Sequence, residues 1–314
     1  MIKNMEKNCL VNMDAEDRNG YLVSEEMKKV WNVQLDMFRL LIEVCRKHQL
    51  RCWCDGGTLL GAIRHHGYIP WDDDIDVCMP RPDYDKLQEV AKEEFRYPYF
   101  FQTAATDEHY YRGHAQIRRS DTAAIRPSDC NRPFNQGIFI DVFVLEGVPD
   151  NIEEAREVVR MANKRMKRLK AVDYDIIASG RLGLVFRKMK WNYLVRKHGF
   201  YNLFKPIESA YRKHAWDDCD KVAELGIDGT KFIFDKHIFD QTQWVSFEKM
   251  KVPVPGGYDL FLRTQYGAKY MTPVQAPTNH GELIIDTTRS YKDLMPLVRK
   301  TYKRSIWKRL RKKL

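Results

Sequence analysis

The sequence predicts an α/β fold in which a mixed β-sheet is flanked by helices and carries a basic helical insertion. Short apolar segments of period two alternate with amphipathic helical patterns over residues 24–150, as expected for a sheet covered by helices. From residue 151 onward the pattern is instead helical and rich in lysine and arginine. A strand and a helix follow from residue 247, so we expect the chain to return to the sheet there.

The size and composition are those expected of a folded cytoplasmic protein. The chain has 314 residues, of which 44% are hydrophobic, enough for one large domain or two small ones. No apolar run approaches the roughly 20 residues that a membrane-spanning helix needs, and residues 1–20 have no apolar signal core. The seven cysteines form no Cys-x-x-Cys pair, so we expect buried free thiols.

The first helix is expected after a loose lead-in of residues 1–23. Ser24 is a suitable N-cap, and Glu25 and Glu26 follow it where the helix dipole favours acids. Apolar residues then recur at helical spacing, at Trp31, Leu35, Phe38, Ile42 and Cys45. This pattern predicts an amphipathic helix that packs on the sheet.

A strand at residues 50–54 is followed by a glycine turn and a second helix. The turn contains Gly56, Gly57 and Thr58, and the helical pattern continues to residue 64. Glycines let a phosphate approach the backbone, and the free N–H groups of a helix N-terminus point toward it. The arrangement predicts a phosphate-binding turn; a purely structural turn is the alternative.

Four carboxylates surround the start of the next strand, in the sequence Asp-Asp-Asp-Ile-Asp at residues 72–76. Alternating apolar residues predict a strand over residues 75–79. Asp74 and Asp76 would then project from the same face of one strand. Hard oxygen ligands of this kind suit Mg²⁺ or Mn²⁺, and a solvated acidic loop is the alternative.

A further carboxylate lies within a strongly apolar strand. The pattern predicts a helix at residues 83–95 and strands at 97–103, 114–119 and 137–144. Asp141 interrupts the last of these strands. A buried carboxylate is costly unless it is paired or binds a metal; a hydrogen bond to a backbone N–H is the alternative. With Asp74, Asp76 and the glycine turn, Asp141 predicts a metal-dependent site for phosphoryl or nucleotidyl transfer.

These patterns divide the chain into five segments. They are an N-terminal lead-in (1–23), the first part of a catalytic core (24–150), a basic helical insertion (151–245), the C-terminal part of the core (246–290) and a basic amphipathic tail (291–314). Within the fourth segment we expect a strand at residues 247–254 and a helix at residues 258–266.

The net charge of +10 is concentrated in two segments. Residues 153–214 contain 16 Lys/Arg against 6 Asp/Glu, and residues 299–314 contain 9 Lys/Arg and no acid. Trp307, Leu310 and Leu314 lie along one side of the tail helix, a pattern that suits an anionic membrane surface. We expect peripheral attachment to the inner face of the membrane, with a solvated basic face as the alternative. No nucleic-acid-binding module is recognised, so nucleic acid is not an expected partner.

One long motif in the first half of the chain carries a family resemblance. It consists of Asp-Gly-Gly-Thr-Leu-Leu-Gly-Ala-Ile-Arg-His at residues 55–65 and Gly-Tyr-Ile-Pro-Trp-Asp-Asp-Asp-Ile-Asp at residues 67–76. The motif resembles the signature of the LicD/fukutin family. Residues 137–143 and 266–280 resemble further blocks of that family. The resemblance covers roughly residues 30–150 and 245–290.

The resemblance implies a nucleotidyltransferase-like fold and a transfer reaction. Members of the family move a phosphorylated small alcohol, commonly phosphocholine or ribitol phosphate, from a CDP-activated donor to a sugar hydroxyl. For this chain it implies that residues 56–58 hold donor phosphate and that Asp74 and Asp76 bind the metal. Asp141 matches the third carboxylate of the pattern, as a ligand, as the base that takes the acceptor proton, or as both.

Three more residues are candidate substrate contacts. Arg64 and Arg118 carry guanidinium groups that suit phosphate oxygens, with a surface ion pair as the alternative for each. His280 lies in a Pro-rich loop within the last family block. The chain departs from many members at Lys269, where they carry an acid, and at His66, where they carry a lysine. The first departure weakens inference from the C-terminal block.

Taken with the resemblance, the residues predict a phosphotransferase that uses Mg²⁺ or Mn²⁺. It would move a phosphocholine-like group from a CDP-alcohol donor to a hydroxyl of a cell-surface glycan or a lipid-linked glycan precursor, and release CMP. A nucleotidyltransferase that moves the nucleotide itself and an inactive scaffolding module at the membrane surface are the alternatives. An aromatic cage for a quaternary ammonium is weighed against core packing for Trp53, Tyr68, Trp71 and Trp244.

Overall fold

The structure is a computed structural model that describes residues 9–174, 176, 183–275 and 283–311, with side chains as far as residue 305. The described strands are β1 (Glu16–Arg18), β2 (Tyr21–Val23), β3 (Trp53–Cys54), β4 (Asp76–Pro80), β5 (Tyr99–Gln102), β6 (Ala115–Arg119), β7 (Ala123–Ile125), β8 (Ile138–Val148), β9 (Lys221–Ala223), β10 (Phe234–Asp235), β11 (Thr242–Phe247), β12 (Met250–Pro255) and β13 (Ile284–Asp286). The described helices are α1 (Glu25–Lys47), α2 (Gly56–Arg64), α3 (Arg81–Glu94), α4 (Ile152–Leu169), α5 (Leu184–His198), α6 (Phe200–Tyr211), α7 (Tyr258–Tyr266) and α8 (Tyr291–Arg311).

The centre of the fold is a seven-stranded mixed sheet built around the long strand β8. One edge of β8 pairs with β4 in parallel, and β4 in turn pairs with β3 in antiparallel orientation. Antiparallel strands β6 and β9 pair with β8, and β5 and β10 extend them. The predicted α/β class with a mixed sheet and flanking helices is therefore confirmed.

Helix α1 forms and packs as its sequence predicts. The Ser24 side chain caps the helix by accepting a 3.2 Å hydrogen bond from the Met27 N–H. The apolar face contacts β8 and β6 and includes Trp31, Leu35 and Phe38, all fully buried. The helix therefore covers one face of the sheet at the strands that carry the candidate site.

The N-terminal lead-in is not loose where it is described. Residues 9–23 contain the β1–β2 hairpin and bury Val11 and Val23. Arg18 donates to both carboxylate oxygens of Glu248, at 2.5 and 2.9 Å. The hairpin is ordered because apolar burial and this ion pair, which joins residues distant in the chain, hold it against the β11–β12 hairpin.

The basic segment is helical at first but re-enters the sheet earlier than its pattern predicts. Helices α4 and α6 pack together over an apolar cluster that includes Val158 and Ile207. The chain then forms β9 and β10, which belong to the central sheet. The expected insertion, residues 151–245, includes both strands, because strands of two or three residues are too short to show a period. The insertion proper therefore ends before residue 221.

Helix α8 is docked by its first turns. Tyr291, Leu294, Met295 and Val298 pack against β7 and Cys130 in a separate apolar cluster. The tail residues Trp307, Leu310 and Leu314, predicted to face a membrane, lie outside the residues whose side chains are described. Among the described helices, none has both the length and the apolar character that spanning a bilayer requires.

All seven cysteines are free thiols, as predicted, and six of them are buried.

Candidate active site

The glycine turn joins β3 to α2 at the edge of the sheet. Gly56 has φ +47°, a conformation that favours glycine. A Cβ atom on Gly57 would lie 2.6 Å from Asp72 Oδ2, so a carboxylate already approaches the N-terminus of α2 where a side chain would otherwise be. Thr58 is buried, and its hydroxyl accepts a 2.8 Å hydrogen bond from the Asp76 N–H. Thr58 thus ties α2 to β4, which leaves its backbone rather than its hydroxyl for a phosphate.

Asp74 and Asp76 do not lie on one strand, contrary to the sequence prediction. Strand β4 begins at Asp76, and Asp74 belongs to the irregular segment before it. The start of that segment is held to α1, because Trp31 Nε1 donates to the Asp72 carbonyl and Gln34 Nε2 to the Asp73 carbonyl. Both carboxylates nevertheless line the same pocket.

The pKa values of both groups are raised well above the usual range for aspartate. Burial is the largest cause, and repulsion by neighbouring carboxylates follows. For Asp76 the repelling groups include Asp141, Asp55 and Asp72. Besides burial, the largest causes of the shift at Asp76 are all neighbouring acids.

Asp141 lies directly opposite Asp76 on the adjacent parallel strand. Adjacent strands are about 4.8 Å apart, so the two residues are neighbours on one face of the sheet. Asp141 Oδ1 accepts hydrogen bonds from His114 Nε2 at 2.9 Å and from Gln116 Nε2 at 2.7 Å. Although burial opposes ionisation, the bond to His114 and the nearby Arg112 lower the pKa of Asp141 to about 2.

The three predicted metal ligands come together only in part. Among the described residues, two sets place three potential ligand atoms within 4.8 Å of one another: Asp55, Cys78 and Glu224, and Asp72, Asp73 and Asp74. The set of Asp74, Asp76 and Asp141 is not one of them, because Asp141 turns its carboxylate toward His114 and Gln116.

Glu224, which sequence reasoning missed, lies at the end of β9 beside Asp55. Both side chains are almost fully buried, at 4% and 2% exposure. Neither Glu224 Oε1 nor Asp55 Oδ1 has a hydrogen-bond donor in the described part of the chain. Burial raises the pKa of Asp55, and burial together with Asp55 raises that of Glu224 well above its usual range. No signal in the sequence marked Glu224, because it follows a strand of three residues.

Most of these carboxylates, but not Asp141, line one cavity of about 750 Å³, which we call the acidic pocket. Its lining contains the carboxylates Asp55, Asp72, Asp74, Asp76, Glu224 and Asp228, the cations Arg64, Lys231 and Lys269, and the aromatic residues Trp71, Phe143, Phe232, Tyr266 and Tyr270. The donor set fits a divalent cation of the Mg²⁺ type, since it is made of hard carboxylate oxygens whose mutual repulsion raises their pKa values.

Comparison with known proteins agrees with this geometry. The family described as LicD/FKTN/FKRP, nucleotidyltransferase domain, matches residues 49–143, which contain the glycine turn and all three predicted carboxylates. The lipopolysaccharide cholinephosphotransferase LicD of Haemophilus influenzae is 28% identical over 252 residues, 76% of this chain and 87% of that protein. Residues 49–143 of the chain therefore match the family that the sequence motif resembles. The human ribitol 5-phosphate transferase FKRP is 36% identical over 56 residues, 18% of this chain and 11% of that protein.

Of the three residues predicted to contact substrate, Arg64 and Arg118 do not lie together. Arg64 lines the acidic pocket and donates to the Tyr270 carbonyl at 2.7 Å. Arg118 does not reach that pocket. It is buried and donates to Gln102, Gln116 and the Gly137 carbonyl. His280 lies outside the described residues. Lys269, where the chain departs from many LicD-family members, adds a cation to the acidic pocket.

The four aromatic residues considered for a cage do not form one. Trp53 is buried, and Tyr68 is stacked on Trp31 in the core with ring centroids 4.3 Å apart. Trp244 is exposed beside Arg46. Only Trp71 of the four lines the acidic pocket. Among its described lining residues, the acidic pocket contains four other aromatic residues that could contact a donor alcohol: Phe143, Phe232, Tyr266 and Tyr270.

Proposed function

We propose that this chain transfers a phosphocholine-like group from a CDP-alcohol donor to a hydroxyl of a cell-surface glycan or a lipid-linked glycan precursor, releases CMP, and uses Mg²⁺ or Mn²⁺. The main support is the register of β4 and β8, which sets Asp76 opposite Asp141 beside the glycine turn. A nucleotidyltransferase-like arrangement of this sheet is part of the proposal. The names of the relatives support the class of reaction, since one is a cholinephosphotransferase and another a ribitol 5-phosphate transferase.

The residues of the site have separate roles in this proposal. Asp74 and Asp76 would hold the metal ion, with Asp141 beside them. A bound ion of this kind neutralises phosphate charge and orients the attacking hydroxyl. The backbone N–H groups of residues 56–58 would receive donor phosphate at the N-terminus of α2, where the phosphate must displace or share the position of the Asp72 carboxylate.

The proposed role of Asp141 follows from its hydrogen bonds. With a pKa of about 2, Asp141 is an anion throughout the neutral range. General bases work best when their pKa is near the working pH. We therefore favour Asp141 as a group that holds and orients the cation over Asp141 as the base.

A donor panel tests the proposal. The full-length protein is incubated with Mg²⁺, CDP-choline, CDP-ribitol and CDP-glycerol, with and without candidate glycans, and CMP is measured. We expect metal-dependent CMP release that Asp76→Asn lowers about a hundredfold or more, comparable to the loss of one transition-state contact. Asp240→Asn, an exposed carboxylate outside the site, is the matched control.

The same assay separates the alternatives. Release of pyrophosphate from CTP in place of CMP from the CDP-alcohols would mean that the nucleotide itself is transferred. Absence of Mg²⁺ and Mn²⁺ binding, with function unchanged in Asp76→Asn, would instead favour a scaffolding module.

We also propose peripheral binding to the inner, anionic face of the membrane. Helix α5 has no buried residue. Phe186, Met189 and Tyr193 lie at spacings that share a helix face and are 80%, 62% and 62% exposed. Lysines and arginines of the same helix flank them, a combination typical of helices at an anionic membrane surface.

Vesicle flotation tests the membrane proposal. We expect the full chain to float with anionic vesicles at low salt but not with neutral ones, and Phe186→Ser with Tyr193→Ser to reduce flotation. Removal of residues 299–314 tests the tail in the same way. No flotation of the intact chain at low salt would end this proposal.

A further inference from the structure

A second cavity, of about 560 Å³, lies next to the acidic pocket and has the opposite charge. We call it the basic pocket. Among the described residues, the cations Arg112, Arg118, Arg126, Arg132 and Lys170 line it, together with one carboxylate, Asp129. The cations come from separate parts of the fold, including the loop before β6, the segment after β7 and the end of α4.

The two pockets meet at the candidate catalytic carboxylate. Side chains of a strand alternate between its faces, so Phe139, Asp141 and Phe143 of β8 share one face. Phe139 lines the basic pocket and Phe143 the acidic pocket, with Asp141 between them. Ile227 lines both pockets. A substrate in the basic pocket would therefore lie on the other side of Asp141 from a donor in the acidic pocket.

Two cations of the basic pocket have side chains without a hydrogen bond or a close ion pair. In the part of the chain that the structure describes, this holds for Arg112 and Lys170. Burial opposes the charge of Arg112, but the nearby Asp141 raises its pKa. Burial, Arg132 and Arg112 lower the pKa of Lys170, which shows that its charged neighbours are of like sign. By contrast, Arg132 lies 3.3 Å from Asp129, and Arg118 donates three hydrogen bonds to neighbouring residues.

A buried hydroxyl also points to a ligand. Tyr110 is 2% exposed and lines the basic pocket. Its hydroxyl has no hydrogen-bond partner among the described residues. An unpaired buried donor is destabilising, and here it lies near two unpaired cations. The three groups together can donate to one oxyanion from different directions.

We propose that the basic pocket binds a phosphate group of the acceptor, held by Arg112, Lys170 and the Tyr110 hydroxyl. Donors from several directions suit a tetrahedral phosphate, whereas a planar carboxylate is usually held by one bidentate arginine. The assignment to the acceptor rests on the proposed function, which places the donor phosphates at the glycine turn and the carboxylates. The cavity is large enough for a small ligand beyond the phosphate itself.

Calorimetric titration tests the site without any donor. The full chain in EDTA is titrated with inorganic phosphate and with glycerol 3-phosphate. We expect affinities in about the millimolar range, weakened about tenfold or more by Arg112→Gln and by Lys170→Gln, as for loss of one charged hydrogen bond. Arg160→Gln is the matched control, since Arg160 is an exposed arginine of α4 outside the pocket. No phosphate binding by the intact chain, or equal weakening in Arg160→Gln, would overturn the proposal.

Competition experiments decide which substrate binds in the basic pocket. We expect phosphate to bind Asp76→Asn as it binds the intact chain, and CMP not to displace it. Displacement of phosphate by CMP that is lost in Arg112→Gln would assign the pocket to the nucleotide and overturn the acceptor assignment. Tighter binding of acetate than of phosphate would overturn the choice of phosphate. Because these titrations need no turnover, a failure of the proposed transfer reaction would be seen separately, as absence of CMP release.

Discussion

Replacing Asp76 with asparagine should stabilise the metal-free protein and remove its response to divalent cations. Asp76 lies opposite Asp141 on the next strand, where neighbouring backbones are about 4.8 Å apart. At an effective dielectric constant of about 20, two like charges at that distance repel by about 3 kcal/mol. Because Asp76 is only half-buried and can relax, we expect the free energy of unfolding to rise by about 1–2 kcal/mol in Asp76→Asn.

The pH dependence of this difference has a definite sign. Burial and neighbouring acids raise the pKa of Asp76 in the folded state. An acid with a raised pKa weakens folding as the pH rises above its unfolded value, about 3.9 for aspartate. The stability gained in Asp76→Asn should therefore be absent below about pH 4 and increase as the pH rises through the raised pKa of Asp76 in the folded state.

Urea unfolding in EDTA, and again with Mg²⁺ or Mn²⁺, measures both effects. A cation at about 100 times its dissociation constant should stabilise the intact chain by about 2.7 kcal/mol, and Asp76→Asn should lose most of that gain. Asp240→Asn should behave like the intact chain in both buffers. The reasoning is refuted if Asp76→Asn is less stable than the intact chain in EDTA at neutral pH, or if the cation stabilises both equally.

Two other predictions concern a glycine and a buried ion pair. Gly57→Ala should change the free energy of unfolding by no more than about 1 kcal/mol, because alanine favours the helix while its Cβ, 2.6 Å from Asp72 Oδ2, displaces a movable carboxylate. CMP release by Gly57→Ala should fall at least about tenfold. The control Gly183→Ala, which adds a Cβ in open space, should not change CMP release. Arg81→Met should lower the free energy of unfolding by about 3–5 kcal/mol, because it strands the buried Glu146 carboxylate. The double variant Arg81→Met/Glu146→Leu should recover most of that loss in urea unfolding, and no recovery would contradict the explanation by an unpaired charge.

Much of the local structure could be predicted from the sequence. Helix α1 has the predicted Ser24 cap, and α7 spans Tyr258–Tyr266 as its pattern predicts. The glycine turn and the carboxylate motif resemble the LicD/fukutin signature, and the family match covers both of them. These features depend on residues close together in the chain, so periodicity, capping and motif spacing carry them.

The arrangement of the site depends on contacts between distant residues. Register between β4 and β8 sets Asp76 opposite Asp141, and β9 brings Glu224 to Asp55 from within a segment whose pattern is otherwise helical. Asp74 lies outside the strand because the loop that contains it is hydrogen-bonded to α1. The Arg118 side chain is buried because Gln102 and Gln116 accept hydrogen bonds from its guanidinium. By itself, the sequence determined the first helix, the mixed α/β class and the resemblance to the LicD/fukutin family. Only the tertiary structure decided which carboxylates face each other, because strand pairing joins residues that no local pattern relates.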